Sequence, residues 1–192
     1  MRGQLSFFTA GELPPAVEDL EGLLAGPGHV VRRAAEARLS IVVGADWRVE
    51  ALLAAFADRG LTGEATTSLD GRAGARTQFS ARLTPLAGRW ARGAHLAVPD
   101  GWRLDGSRLR LWSIAAGRPD DYGYLLQLAE DEGRWAAVGS ALHDAGVPGT
   151  LIGPRAGGPA YRITGRRIGR LVELVGPAPP GAGHDAWPGP AT

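Results

Sequence analysis

The same order of secondary-structure signals runs through this 192-residue chain twice, and that duplication limits the possible folds more than any other feature. Residues 16–25 read as a helix stopped by Gly26-Pro27-Gly28. Residues 29–32 and 38–43 read as two strands, the second being RLSIVV. Asp46 is placed to cap a helix whose Val49, Leu52, Leu53 and Phe56 share one face, and Gly60 ends it. Strands are predicted over 62–68 and 75–83 around the turn Asp70-Gly71, and Thr84-Pro85 opens a helix running through Trp90 towards Leu96. The second pass predicts a hairpin in WRLDGSRLRLWSI around Asp105-Gly106 and a buried strand in YGYLLQLAE. A helix over 131–146, strands over 150–155 and 160–165, and a closing helix over 166–176 follow.

Residues echo across the halves as well. Asp58-Arg59-Gly60-Leu61-Thr62-Gly63 matches Asp144-Ala145-Gly146-Val147-Pro148-Gly149, and each follows a helix opened beside a tryptophan, Trp47 or Trp135. Helix–strand–strand–helix–strand–strand–helix, written twice, implies a pseudo-twofold α/β (α+β) design with antiparallel sheets. The expected divisions are an arm over 1–15, a first unit over 16–90, a second over 91–176 and a disordered tail over 177–192, where Pro and Gly dominate.

Composition removes several kinds of chemistry. The chain has no cysteine, so thiolate nucleophiles, disulfides and cysteine-held zinc are excluded. His29, His95, His143 and His184 stand too far apart for a local metal motif. No apolar run approaches a membrane span and no signal peptide is evident, so a soluble, cytoplasmic, nucleoid-associated protein is expected. All 21 basic residues are arginine, a bias that fits either a GC-rich genome or phosphate contact through planar, bidentate forks. The net charge of +1 is modest for a nucleic-acid binder. Gly157-Gly158-Pro159 joins two strands and opens no helix, so it is a turn and not a phosphate loop.

The repeated pattern resembles the LAGLIDADG fold, in which two units dock through the first helix of each and their sheets form a saddle. The residues that carry the resemblance are Leu20-Glu21-Gly22-Leu23-Leu24-Ala25-Gly26-Pro27-Gly28, and Gly93-Ala94-His95-Leu96-Ala97-Val98-Pro99-Asp100-Gly101 as the second docking helix. DLEGLLAGPGHVV with RLSIVV, and Arg92-Gly93-Ala94-His95-Leu96-Ala97, are similar to the openings of the two units in the N-terminal domain of WhiA-type regulators. The helix-turn-helix of those regulators has no counterpart in these residues. An active LAGLIDADG nuclease needs an acid at the base of each docking helix to hold divalent metal. Pro27 occupies the first position; in the second, one alignment offers Asp100 and another Val98. The resemblance therefore implies a degenerate, non-catalytic domain with no metal, cofactor or small-molecule substrate, Asp100 being the sole weak catalytic candidate.

A saddle would present one sheet face to duplex DNA, and strand alternation picks out its residues. Arg76, Gln78 and Arg82 share one face of the 75–83 segment; Arg108, Arg110 and Trp112 share one face of the 107–114 segment. Such residues reach phosphates and base edges, although any half-buried sheet also shows a polar face. In the arm, Gln4-Leu5-Ser6-Phe7-Phe8 resembles a bacterial sliding-clamp-binding motif, the amide setting register and the adjacent phenylalanines entering a pocket. The expected function is a non-catalytic DNA-associated accessory or regulatory protein of replication or repair, tethered to the clamp. The alternatives are a protein-interaction module without DNA, a transcriptional regulator, and an active endonuclease.

Overall fold

Val17–Leu20 winds as a 3-10 turn into helix α1 (Glu21–Ala25), near the start of a computed structural model that describes residues 14–189. Gly26-Pro27-Gly28 stops the helix, and Gly28 N donates to Leu23 O at 2.9 Å. The chain then forms the hairpin β1 (His29–Arg33) and β2 (Glu36–Val42), helix α2 (Asp46–Asp58), β3 (Gly63–Thr67) and β4 (Ala73–Thr77). A 3-10 turn at Ala81–Leu83 leads into α3 (Thr84–Trp90). The sheet is antiparallel with order β1-β2-β4-β3. Alternation in β2 explains its layering: Ala37, Leu39 and Ile41 are buried towards the helices while Glu36, Arg38, Ser40 and Val42 face outward.

A two-residue hairpin, β5 (Ala91–Arg92) with β6 (His95–Leu96), bridges to the second unit. That unit repeats the first: α4 (Gly106–Ala116), β7 (Gly117–Asp120), β8 (Gly123–Gln127), α5 (Trp135–Asp144), β9 (Thr150–Ile152), β10 (Ala160–Ile163) and α6 (Arg166–Val175). Its sheet has order β7-β8-β10-β9, the same as the first. Equivalent strands open 87 residues apart, Glu36 with Gly123, Gly63 with Thr150 and Ala73 with Ala160. One continuous core joins the two units, running from Leu20, Leu23 and Leu24 through Phe56 and Trp90 to Trp112.

The second docking helix is α4, which corrects both sequence expectations for this region. Residues 92–97 form the small hairpin, with Gly93 at φ +63° in its turn, and not a helix. SRLRLWSI is helical, and not a strand. Asp105 caps it, its side chain accepting from Arg108 N at 2.9 Å. The Arg-Leu alternation suggested a period of two, but α4 is buried on nearly every side, from Leu109 through Leu111, Trp112, Ser113, Ile114 and Ala115. A helix enclosed all round shows no amphipathic stripe in its sequence. α1 and α4 pack closely because Gly22 has no side chain: a Cβ there would lie 2.1 Å from Arg108 O.

The tail is a further correction. Residues 177–189, expected to be disordered, fold back over the helices. Trp187 is 6% exposed and its Nε1 donates to Gly176 O at 2.9 Å, while the Arg110 guanidinium lies 5.3 Å from its ring. Gly181 passes against Trp47, where an added Cβ would sit 3.1 Å from the tryptophan Cβ. Pro and Gly forbid regular structure here, but one tryptophan provides an apolar anchor large enough to order the segment. Among the described residues, no helix is long and apolar enough to cross a membrane.

Candidate nucleic-acid interface

The ends of α1 and α4 meet where each unit passes from its docking helix into its first strand. None of the residues that close the two helices is acidic. Ala25, Gly26, Pro27 and Gly28 close α1; Ala115, Ala116, Gly117 and Arg118 close α4. The 87-residue spacing sets Pro27 opposite Ile114, also without an acid. Asp100 is elsewhere: it is exposed in a turn closed by Trp102 N donating to Pro99 O at 3.1 Å, with Gly101 at φ +69°. Among the described residues, no cluster of three or more His, Asp or Glu is arranged to hold a metal ion.

Arginine side chains occupy the helix ends, and each comes from the opposite unit. Arg48, in the first turn of α2, donates through Nη1 to Ser113 O at 3.1 Å and Ile114 O at 2.5 Å. Its Nη2 reaches Gly117 O at 2.5 Å. Arg134, just before α5, donates through Nη1 to Leu24 O at 2.7 Å. Carbonyls in a last helical turn lack intrahelical donors and carry the negative end of the helix dipole, so a guanidinium there satisfies both needs. Burial lowers the pKa of both arginines from its ordinary value; Tyr124 partly opposes this for Arg48, and Asp131 for Arg134. The sequence shows each arginine beside a tryptophan, Trp47-Arg48 and Arg134-Trp135, at the mouth of the second helix of its unit. It does not show that each reaches across to the other unit's docking helix.

At the opposite end of the helix pair lies the buried carboxylate of Glu21. Its Oε2 accepts from Trp102 Nε1 at 2.9 Å and Arg108 Nε at 3.2 Å, and its Oε1 lies 2.8 Å from Arg89 Nη2. Arg108 also pairs with Asp105. Two guanidiniums and an indole thus neutralise a charge that could not otherwise stay buried. This ion cluster ties α1 to α4 and to the linker.

The six residues assigned to DNA by strand alternation do not form one face. Arg108, Arg110 and Trp112 lie on α4 inside the molecule. Arg110 donates to Val175 O at 2.6 Å and Pro177 O at 2.5 Å, and the buried Trp112 donates to Gln127 O at 2.7 Å. These three side chains knit the helices and tail together, because the segment is a helix and has no outer sheet face. Arg76 does lie on the outer face of β4, 2.6 Å from Glu64 on β3. Gln78 is exposed just beyond the strand. Arg82 sits in the 3-10 turn and donates to Gly60 O at 3.1 Å.

Alternation fails after Thr77 because of a one-residue bulge. Ser40 pairs with Arg76, but Ala37 pairs with Ser80, so β4 carries one residue more than β2 over this stretch. Thr77 Oγ1 accepts from Leu39 N at 3.1 Å, which satisfies a donor that the irregular register would orphan. The bulge brings Phe79, which strict alternation from Arg76 would turn inward, to the outer side, where the guanidiniums of Arg33 and Arg38 lie 3.9 and 4.7 Å from its ring centroid. Sequence reading missed all three residues. The clamp-like residues Gln4, Leu5, Ser6, Phe7 and Phe8 lie outside the described residues.

No family model matches the chain, and no curated protein matches it. Among solved structures it is similar to the homing endonuclease I-WcaI bound to its DNA recognition sequence. The likeness covers 82% of this chain and 79% of that chain, with a TM-score of 0.59 and 14% sequence identity. The fold is LAGLIDADG-like. In this LAGLIDADG-like frame α1 and α4 are the docking pair, and Arg48 and Arg134 cap their ends.

Proposed function

We propose that this chain is a DNA-associated accessory or regulatory protein that binds duplex DNA without cutting it. One observation carries the proposal: the docking-helix ends bear no carboxylate and are instead capped by Arg48 and Arg134. A metal-dependent nuclease needs negative ligands at that place to gather divalent cations. Two guanidiniums there repel such cations and leave the helix carbonyls already bonded. The outer sheet face of the first unit, where Arg33, Arg38 and Arg76 lie, is untouched by that change. The loss of cutting is therefore compatible with retained contact, and the homing-endonuclease-like fold supports DNA as the partner. The likeness of residues 19–31 and 38–43 to WhiA-type regulators favours a regulatory role over a catalytic one.

The arm adds a tether. The residue types of Gln4, Leu5, Ser6, Phe7 and Phe8 suit the sliding clamp, an amide for register followed by paired phenylalanines for a pocket. A role in replication or repair follows from that partner. The test has two arms, a gel shift with duplex DNA at low salt and capture of the chain by immobilised clamp. The proposal expects a retarded DNA band and capture that is lost in the Phe7→Ala, Phe8→Ala variant. Clamp capture with no DNA retention would leave a protein-interaction module. DNA retention with undiminished capture of the double variant would remove the motif.

A further inference from the structure

We infer that the two sheets are not equivalent towards DNA: the first unit's outer face makes the contact, and the second unit's outer face is closed by its own β9–β10 connection. The inference rests on the DNA reading above and goes beyond it, because a duplicated fold would suggest two like surfaces.

In the first unit the outer positions are open. His29, Val31 and Arg33 on β1 stand beside Ser40, Arg38 and Glu36 on β2, and Val31 is 46% exposed. Arg33 and Arg38 hold the Phe79 ring between them, and with Glu36, Glu64 and Gln78 they border an open hollow of about 380 Å³. Arg33 meets Glu36 only at 3.8 Å, and Arg38, whose Nε is buried without a hydrogen-bond partner, pairs with no carboxylate among the described residues. Guanidiniums held over an aromatic ring in this way keep their Nη donors uncommitted. Arginine forks, an amide and a ring edge are the groups that engage phosphate, sugar and base. The β3–β4 connection is the short turn Ser68–Arg72, closed on itself by Ser68 N donating to Arg72 O at 2.8 Å, and it does not cover the face.

The second unit is built otherwise. Its outer positions Leu125, Ile152 and Ala160 are buried and form a small core separate from the main one. Outer residues of a two-layer domain are buried only when something lies over them. The longer connection Gly153–Pro159 is the segment that a hydrogen bond from Arg118, the β7 neighbour of Leu125, draws towards this face. Arg118 Nη2, on the outer side of β7, donates to Gly157 O at 2.9 Å, and Gly158 N donates to Gly153 O at 3.1 Å. Arg162 is 2.7 Å from Asp120 Oδ2, and its guanidinium lies 5.2 Å from the Tyr122 ring. The two arginines on these strands, Arg118 and Arg162, are therefore committed within the protein. A cation already paired with a carboxylate or a carbonyl releases little from the counterion shell of DNA.

Fluorescence anisotropy of a labelled 30-base-pair duplex with the full chain tests this. Arg33→Glu with Arg38→Glu should weaken binding more than tenfold and reduce the salt slope by about two. Arg155→Glu with Thr150→Glu, both exposed on the second unit, should change affinity less than twofold. Because the chain has no cysteine, a photocrosslinker can be placed singly at Ser40→Cys or Thr150→Cys without disturbing the charges. Ser40→Cys should crosslink to DNA and Thr150→Cys should not. Equal losses from both pairs, or crosslinking from Thr150→Cys alone, would overturn the asymmetry and leave the DNA reading intact. Failure of the unaltered chain to bind would overturn both.

Discussion

Gly22 fixes how closely the two docking helices approach. Its missing Cβ would lie 2.1 Å from the Arg108 carbonyl, and backbone cannot move aside as a flexible side chain can. Gly22→Ala should therefore cost about 2 kcal/mol through overpacking, despite the better helix propensity of Ala. Thermal unfolding should show the midpoint falling by roughly 5 °C for a domain of this size. An unchanged midpoint would mean the helices are not held at that distance. Arg134→Ala leaves the buried Leu24 carbonyl without its donor and should cost about 2 kcal/mol by denaturant titration. Glu21→Ala leaves the Trp102 indole and the Arg89 guanidinium without their carboxylate and Arg108 with Asp105 alone, and should cost about 3–5 kcal/mol, the usual result of breaking a buried ion cluster from one side.

Among the elements, those with a visible period or stop signal were legible in the sequence. α2, α5, the β1–β2 hairpin and the Gly-Pro-Gly end of α1 all lie where spacing and stop signals put them, although Asp46 is the first residue of α2 and no side chain caps it, the N-cap being Ala45. α4 was not legible, because Arg108 and Arg110 alternate with Leu109 and Leu111 while tertiary burial encloses the helix. The informative mark was Asp105, which caps Arg108 N three residues on. The bulge at Gln78-Phe79 was likewise invisible, since a register shift of one residue leaves no trace in composition. Of the candidate site, the missing acid at Pro27 could be read directly. The caps could not, because Arg48 and Arg134 act on carbonyls 65 and 110 residues away. The tail was misjudged because its Pro and Gly content outweighed a single Trp187. Removing residues 177–192 should lower stability by about 3 kcal/mol, the value of a buried tryptophan. Denaturant unfolding of the truncated chain measures it, and no change would mean the segment does not dock.

For the whole molecule, two units of one design share a core and have diverged in what they present. Duplication supplies the twofold frame, and the crossed arginine caps preserve its symmetry: each unit closes the docking helix of the other. The symmetry ends at the outer sheet faces, one open and arginine-bearing, the other roofed by its own loop. We propose that this frame keeps DNA but has exchanged metal chemistry for cationic caps. Incubating supercoiled plasmid with the chain in magnesium, and running half of each sample native and half after removing protein, tests both halves together. The account predicts a retarded plasmid in the native lanes and intact supercoiled DNA after deproteination. Nicked or linear product that chelator abolishes would contradict it, as would plasmid that migrates unchanged in every native lane.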